Sequence, residues 1–286
     1  MTVLMAGCGD LGTEAGLGFA ALGHRVVGWR RTPGKLPAAI QGAAADLGSP
    51  ELPLVPADTA AVVIAVAADS PTEEAYRAAY VRGVANVLDA LERDGVRPDR
   101  VLFVSSTAIY GDAGGGWVDE STHPEPAGFS GRVLLEAEEL LQARLRGTGT
   151  AGISLRLGGI YGPGRTRLID QVRTGSAVIP EDVRYTNRIH RDDAAAAIVH
   201  LATMDTAPSP AYVGVDNESA DLGTVLRFLA AELGLSEPPA GDAGPARGGN
   251  KRCRNDLLRS TGFTFTFPTF REGYRDVIAG NGIRHP

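Results

Sequence analysis

The chain has almost no lysine, two cysteines, no long apolar run and no excess of positive charge, and each shortage removes a class of function. Its 286 residues carry 28 basic and 34 acidic side chains, for a net charge of −6. No global basic field draws such a protein to nucleic acid or anionic lipid, so no nucleic-acid partner is expected. No apolar run approaches the roughly 18 residues needed to span a bilayer, so no membrane partner is expected either. Met1 leads straight into an apolar strand and then glycines, without a charged n-region and cleavage site. No signal peptide is read, and the expected location is cytoplasmic. Cys8 and Cys253 lie far apart and form neither a metal spacing nor a disulfide framework, which suits a reducing compartment. No close His/Cys/Asp/Glu set has ligand spacing, so no metal is expected. Lys35 and Lys251 are the only lysines, so arginine is expected at positions where a relative would carry lysine.

What is present reads as a soluble globular enzyme, with 43% hydrophobic and 22% charged residues. Thr2–Ala6 is a short apolar run ending in glycines, and Glu14–Leu22 is compatible with a helix. His24–Trp29 reads as a second strand and the short apolar Ala43–Ala45 as a third. Ala60–Ala67 is a continuous apolar run of the kind buried on both faces of a parallel sheet. Its last residues, Ala65, Val66 and Ala67, are expected against a cofactor. Pro71–Arg93 has helical spacing, Arg100–Val104 is a strand, Arg132–Arg146 a helix and Ile153–Leu157 a strand. This alternation predicts an α/β fold with a Rossmann-type, doubly wound parallel sheet over residues 1–160. Residues 161–286 are read as a smaller, substrate-facing lobe interleaved with the last strands. There, Asp192–Met204 and Leu222–Leu233 are expected helices, Ala211–Val215 a strand, and Glu237–Asn250 a Pro/Gly-rich loop.

The glycine loop Gly7-Cys8-Gly9-Asp10-Leu11-Gly12 follows the first strand and opens a helix, the context that gives G-x-G-x-x-G its meaning. Gly7 is expected to permit the tight turn, Gly9 a close backbone approach to a pyrophosphate, and Gly12 close helix–strand packing. Asp10 and Leu11 complete the loop, and the helix N-terminus supplies free N–H groups. An NAD site places an acid about 20 residues on, at the end of the second strand. Here that position holds Arg30 and Arg31, with no acid nearby in sequence. A guanidinium favours a 2′-phosphate, so NADP is expected over NAD, with NAD as the alternative. Asp46 and Leu47 sit where a third strand would end beside the adenine, or in an exposed turn.

With these motifs on the page, the chain resembles the extended short-chain dehydrogenases/reductases of the epimerase/dehydratase-like group. The resemblance spans nearly the whole length. It rests on the loop, on Tyr80 through Leu88, on Phe103 through Gly111 with Ser105 and Ser106, on Leu155 through Gly164 with Tyr161, and on Ile189 through Ala194 with His190. It implies a nicotinamide cofactor, a small-molecule substrate and a homodimer. One departure is central. The family carries Tyr-x-x-x-Lys at the start of the helix after the active-site strand, where this chain has Gly128-Phe129-Ser130-Gly131-Arg132. Arg132 aligns with the lysine and can still bond a ribose, but Gly128 stands at the tyrosine. The chain therefore resembles an atypical branch without the usual pair.

Ser106 is expected to line the nicotinamide pocket, and Tyr161 and His190 are the proton-donor candidates. Each has a structural alternative: a family tyrosine in a Gly-Pro-Gly loop, and a histidine satisfying a buried backbone group. Asp192 and Asp193 are expected to cap the helix that follows. The basic run from Asn250 to Asn255 is either a solvated first turn or a contact to an anionic ligand. The favoured function is an oxidoreductase acting on a small metabolite. A non-catalytic dinucleotide-binding sensor or assembly protein is the alternative, and an epimerase or dehydratase the third.

Overall fold

The computed structural model describes residues 1–244 and 248–286; the stretch 245–247 of the expected Pro/Gly-rich loop lies outside the described residues. Seven strands form one all-parallel sheet: β1 Thr2–Ala6, β2 Arg25–Arg30, β3 Gln41–Ala44, β4 Thr59–Ile64, β5 Arg100–Ser106, β6 Ala151–Leu157 and β7 Ala211–Gly214. Their order is β3-β2-β1-β4-β5-β6-β7. The chain moves outward from β1 in one direction, then returns to its other side. That reversal leaves a crevice beyond the carboxyl ends of β1 and β4, the position where open α/β sheets bind ligands.

Strand side chains alternate between two apolar layers, which is why the strand sequences are apolar without interruption. Leu4, Val27, Val62, Val101 and Phe103 face α3 (Gly83–Arg93) and α4 (Phe129–Leu145), against Val84, Val87, Leu91, Leu134 and Leu141. Val3, Met5, Val26, Val63, Leu102 and Leu155 face α1 (Asp10–Ala21) and α6 (Arg191–Thr203), against Phe19, Ala194, Ile198 and Leu201. A third cluster gathers Ile169, Val172, Val225, Leu226, Leu229, Phe270 and Tyr274 between α5 (Arg167–Arg173), α7 (Leu222–Glu232) and α8 (Phe270–Ile278). The second half of the chain thus builds its own core while lending β7 and α6 to the sheet layer.

Several boundaries differ from the sequence expectation, among them α1, which begins at Asp10 rather than Glu14, and β3, which begins at Gln41 rather than Ala43; three others have local reasons. The run Ala60–Ala67 stays in the sheet only to Ile64, and Ala65 onward leaves it to line the crevice. The helix expected from Pro71 begins at α2 (Glu73–Tyr76) under a Thr72 cap, and a π-helical turn at Arg77–Arg82 joins it to α3. The helix expected from Arg132 begins at Phe129, because Gly131 lets it lie against the 107–110 turn. A Cβ on Gly131 would stand 2.5 Å from the Ala108 carbonyl oxygen.

A buried ionic group ties α4 to the sheet. Glu138 on α4 accepts from Ser105 at 2.5 Å and from Arg156 Nη2 at 2.8 Å, and Arg156 Nη1 donates to the Tyr110 hydroxyl at 2.8 Å. Glu138 is 4% exposed and Arg156 8%. Removing one member leaves the other charged and unpaired in the interior. Glu138→Ala is therefore expected to cost about 3–5 kcal/mol in urea unfolding, and a loss below about 1 kcal/mol would show that water compensates Arg156.

Candidate functional site

The carboxyl ends of β1, β2, β4 and β5 open into a cleft of ≈ 670 Å³. Its floor is the glycine loop. Gly7 has φ +104°, and a Cβ there would stand 2.4 Å from the Ala65 carbonyl oxygen. A Cβ on Gly12 would stand 2.1 Å from the Gly7 carbonyl oxygen, whereas one on Gly9 meets nothing within 4 Å. The first two glycines let the helix seat against the strand, and Gly9 keeps open the space at the head of α1. The N–H groups of Gly7 and Cys8 both donate to Trp29 O at 3.1 Å, which locks the loop to β2. Burial pushes the Cys8 thiol up to about 12, against the opposing charge of Arg30, so it packs as a neutral group.

Arg30, Arg31, Asp46 and Leu47 line the far end of the cleft, and Ala65, Val66 and Ala67 line its wall. The structure adds an acid that local sequence did not show. Asp69, from the segment after β4, takes both Nη atoms of Arg31 at 2.7 Å. β2 and β4 flank β1, so this pair links strand ends roughly 10 Å apart. Arg30 Nη1, by contrast, is buried without a hydrogen-bond partner. Among the described residues this donor has no acceptor.

Ser106 lines the other end, where its hydroxyl accepts the Ala108 N–H at 3.2 Å. Tyr80, from the π-helical turn, reaches the same cleft; the sequence marks it as part of the family resemblance but not as a site candidate. Gly128 is the N-cap of α4, and Phe129 beside it packs edge-on against Tyr76 with ring centroids 5.3 Å apart. Arg132 is exposed on α4 and is not among the residues lining the cleft.

The two proton-donor candidates lie in a buried aromatic cluster outside the cleft lining. Tyr161 is 4% exposed, with its ring 4.3 Å from Tyr274 and 5.3 Å from His190. Among the described residues its hydroxyl has no hydrogen-bond partner, and burial first of all raises its pKa. His190 is fully buried, and its Nδ1 accepts the Asp192 N–H at the start of α6. Burial lowers its pKa and favours the neutral ring. The cap expected from Asp192 and Asp193 is thus supplied by His190. Asp193 instead accepts the N–H groups of Thr266 and Phe267 at 2.8 and 2.9 Å, pinning the aromatic run 263–267 against α6.

In the basic run Arg254 is exposed, Lys251 and Arg252 are tied into the fold, and none of the run lines the cleft. Lys251 is 3% exposed and donates to Gly111 O at 2.9 Å, while Arg252 donates to Gly115 O at 2.7 Å and lies over the Trp117 and Tyr185 rings. These contacts clasp loop 111–118 to the second half of the chain. Among the described residues no group of three or more His, Cys, Asp or Glu has metal-site geometry, and no helix is long and apolar enough to cross a membrane.

Residues 19–213 match the NAD dependent epimerase/dehydratase family. The chain is 32% identical over 210 residues to protein YeeZ of Escherichia coli K12, covering 70% of this chain and 72% of that one. It is similar to the solved structure of an assigned NAD-dependent epimerase/dehydratase from Methylobacillus flagellatus, with 36% identity, 98% of both chains covered and a TM-score of 0.79. It also shares the fold of MoeE5 in complex with UDP-glucose and NAD, at 24% identity, 96% of both chains and a TM-score of 0.77.

Gly12→Ala is expected to abolish dinucleotide binding and lower the melting temperature, because the backbone oxygen of Gly7 cannot yield. Unchanged binding of the variant would contradict the close approach. Tyr161→Phe, which deletes an unpaired hydroxyl, is expected to change unfolding free energy by less than about 1 kcal/mol. Asp216, beneath the same cluster, is pushed by burial from 3.8 to about 7, against the charge of Arg188. The native protein then holds this proton more firmly than the unfolded chain does. Its stabilising contribution is full below about pH 4 and is lost as pH rises through 7. Asp216→Asn is expected to flatten that slope in urea titrations between pH 5 and 8.

Proposed function

The chain belongs to the NAD dependent epimerase/dehydratase family, and from that premise we propose that it is an oxidoreductase that holds NADP in the cleft and acts on a small metabolite. The observation that carries the cofactor preference is the guanidinium pair Arg30 and Arg31 at the end of β2, both of which line the cleft. A 2′-phosphate is dianionic and offers acceptors to guanidinium donors at that end of the cleft. The cleft's residues fit a dinucleotide: the open backbone at Gly9 and the head of α1 suit its diphosphate, and Asp46 and Leu47 suit its adenosine end. When bound, the nicotinamide accepts or delivers a hydride.

The chain's own part in that reaction is orientation. Ser106, the cleft hydroxyl among the sequence candidates, is the group offered to a substrate oxygen. Its hydroxyl accepts from Ala108 N–H, so its proton is free to point at a carbonyl. Tyr161 and His190 act by packing rather than by proton transfer in this reading, since each is enclosed away from the cleft lining. Gly128 favours a second reading, a dinucleotide-binding sensor without turnover, because the N-cap of α4 carries no hydroxyl. A metabolite screen followed by NADPH absorbance separates the two. Turnover that falls at least tenfold in Ser106→Ala supports the enzyme, and tight NADPH binding with no turnover across the screen supports the sensor.

Cofactor choice is tested by calorimetric titration. NADPH is expected to bind at least tenfold tighter than NADH, and Arg31→Ala to erase most of that difference. Asp69→Asn, which releases Arg31 from its carboxylate, is expected to tighten NADPH several-fold and leave NADH nearly unchanged. NADH binding as tightly as NADPH to the unmodified protein would refute the preference.

A further inference from the structure

An acid stands in the loop where an anion is expected to bind. Asp10 is the first residue of α1, its side chain is 7% exposed, and its loop neighbours line the cleft. An isolated carboxylate there would repel a diphosphate. This one is fully engaged: Arg165 Nε donates to Oδ2 at 2.8 Å, Arg191 Nη1 to Oδ1 at 2.9 Å, and the His285 backbone N–H to Oδ1 at 3.1 Å. Burial works to raise its pKa. The hydrogen bonds from Arg165 and His285, with the charges of both arginines, outweigh burial and hold it below the usual carboxylate range.

The two arginines are spent differently. Arg191 is 1% exposed and distributes its guanidinium over Asp10, Glu14, Asp192 and the Ile283 carbonyl. Arg165 lines the cleft with its side chain 34% exposed. Among the described residues its only side-chain hydrogen bond is Nε to Asp10, which leaves both Nη groups without a protein acceptor. With Nε tied down, the remaining edge of the planar guanidinium is a preset fork for two phosphate oxygens.

The loop that presents Arg165 is itself held down. Gly162 and Arg165 bridge across a tight turn, with Arg165 N–H donating to Gly162 O at 2.9 Å. Arg284 Nη1 donates to Gly164 O at 3.0 Å, and His285 Nε2 lies 2.7 Å from Glu14. Residues 283–285 therefore contact the 162–165 loop, Arg191 and the head of α1 together. We propose that Arg165 is the cationic ligand of the cofactor's diphosphate, that Asp10 orients it, and that segment 283–285 is the strap that fixes both. This rests on the dinucleotide reading above and adds to it a contact from the second half of the chain. Asp10 is then a positioning residue, whose charge acts through Arg165.

The diphosphate is common to both dinucleotides, which gives the test a signature. NADPH, NADH and adenosine 2′-monophosphate, which lacks the diphosphate, are titrated into the unmodified protein, Arg165→Ala and Arg165→Gln. Both variants are expected to lose about tenfold or more in affinity for NADPH and for NADH by the same factor, with selectivity and adenosine 2′-monophosphate binding unchanged. Arg165→Lys is expected to fall between. His285→Pro, which removes the N–H donor to Asp10, is expected to weaken both dinucleotides several-fold without altering their ratio. The inference is overturned if Arg165→Gln binds dinucleotides like the unmodified protein, or loses all three ligands alike. If the unmodified protein binds none of the three, the dinucleotide reading fails first, and the role of Arg165 with it.

Discussion

The approach of α1 to the end of β1 sets the geometry on which the cleft depends. Gly12 lies so near the Gly7 carbonyl that no Cβ fits between them, and Gly7 adopts a backbone angle that L side chains avoid. Because the helix seats this closely, its head projects at the switch point of the sheet rather than over its face. The open space at Gly9, the wall at Ala65–Ala67 and the arginines ending β2 then surround one volume. A side chain at either glycine would move the helix, and with it every other member of the site.

Around that seat the chain uses ionic contacts that span long sequence distances. Glu138 with Arg156 joins α4 to β6 beneath Ser105. Asp10 with Arg165 and Arg191 joins the first helix to the second half of the chain. Buried pairs of this kind add little net stability, since desolvation offsets most of their attraction. They are intolerant of the wrong partner, however, and so restrict how the two halves assemble. The arginine-rich composition suits this use, because one guanidinium can satisfy several acceptors at fixed angles.

The tyrosine and histidine singled out as proton donors are packed away from the cleft lining. Gly128 has no side chain, Tyr161 closes an aromatic cluster, and His190 caps a helix. Each of the latter two has the chemistry of an acid or base but lies where substrate would have to displace core residues to reach it. Of the three sequence candidates Ser106, Tyr161 and His190, Ser106 is the one that lines the cleft.

The sequence by itself determined the sheet, its alternation with helices and the glycine loop, because these follow from local periodicity and from the backbone freedom of glycine. It also named Arg30, Arg31 and Ser106 near strand ends, which line the cleft, together with Leu47 and Asp46, the latter exposed and accepting the Gly48 N–H of its own turn. Only the tertiary structure decided which charges meet. Asp69 lies 38 residues from Arg31, and the two pair because β2 and β4 both flank β1. Asp10 finds Arg165 and Arg191 at separations of 155 and 181 residues. Tyr161 and His190 carry acid–base chemistry as residue types, and only the tertiary structure shows that both are buried outside the cleft lining. Periodicity reports what each segment buries, whereas the partners of a charged side chain depend on how the segments are stacked.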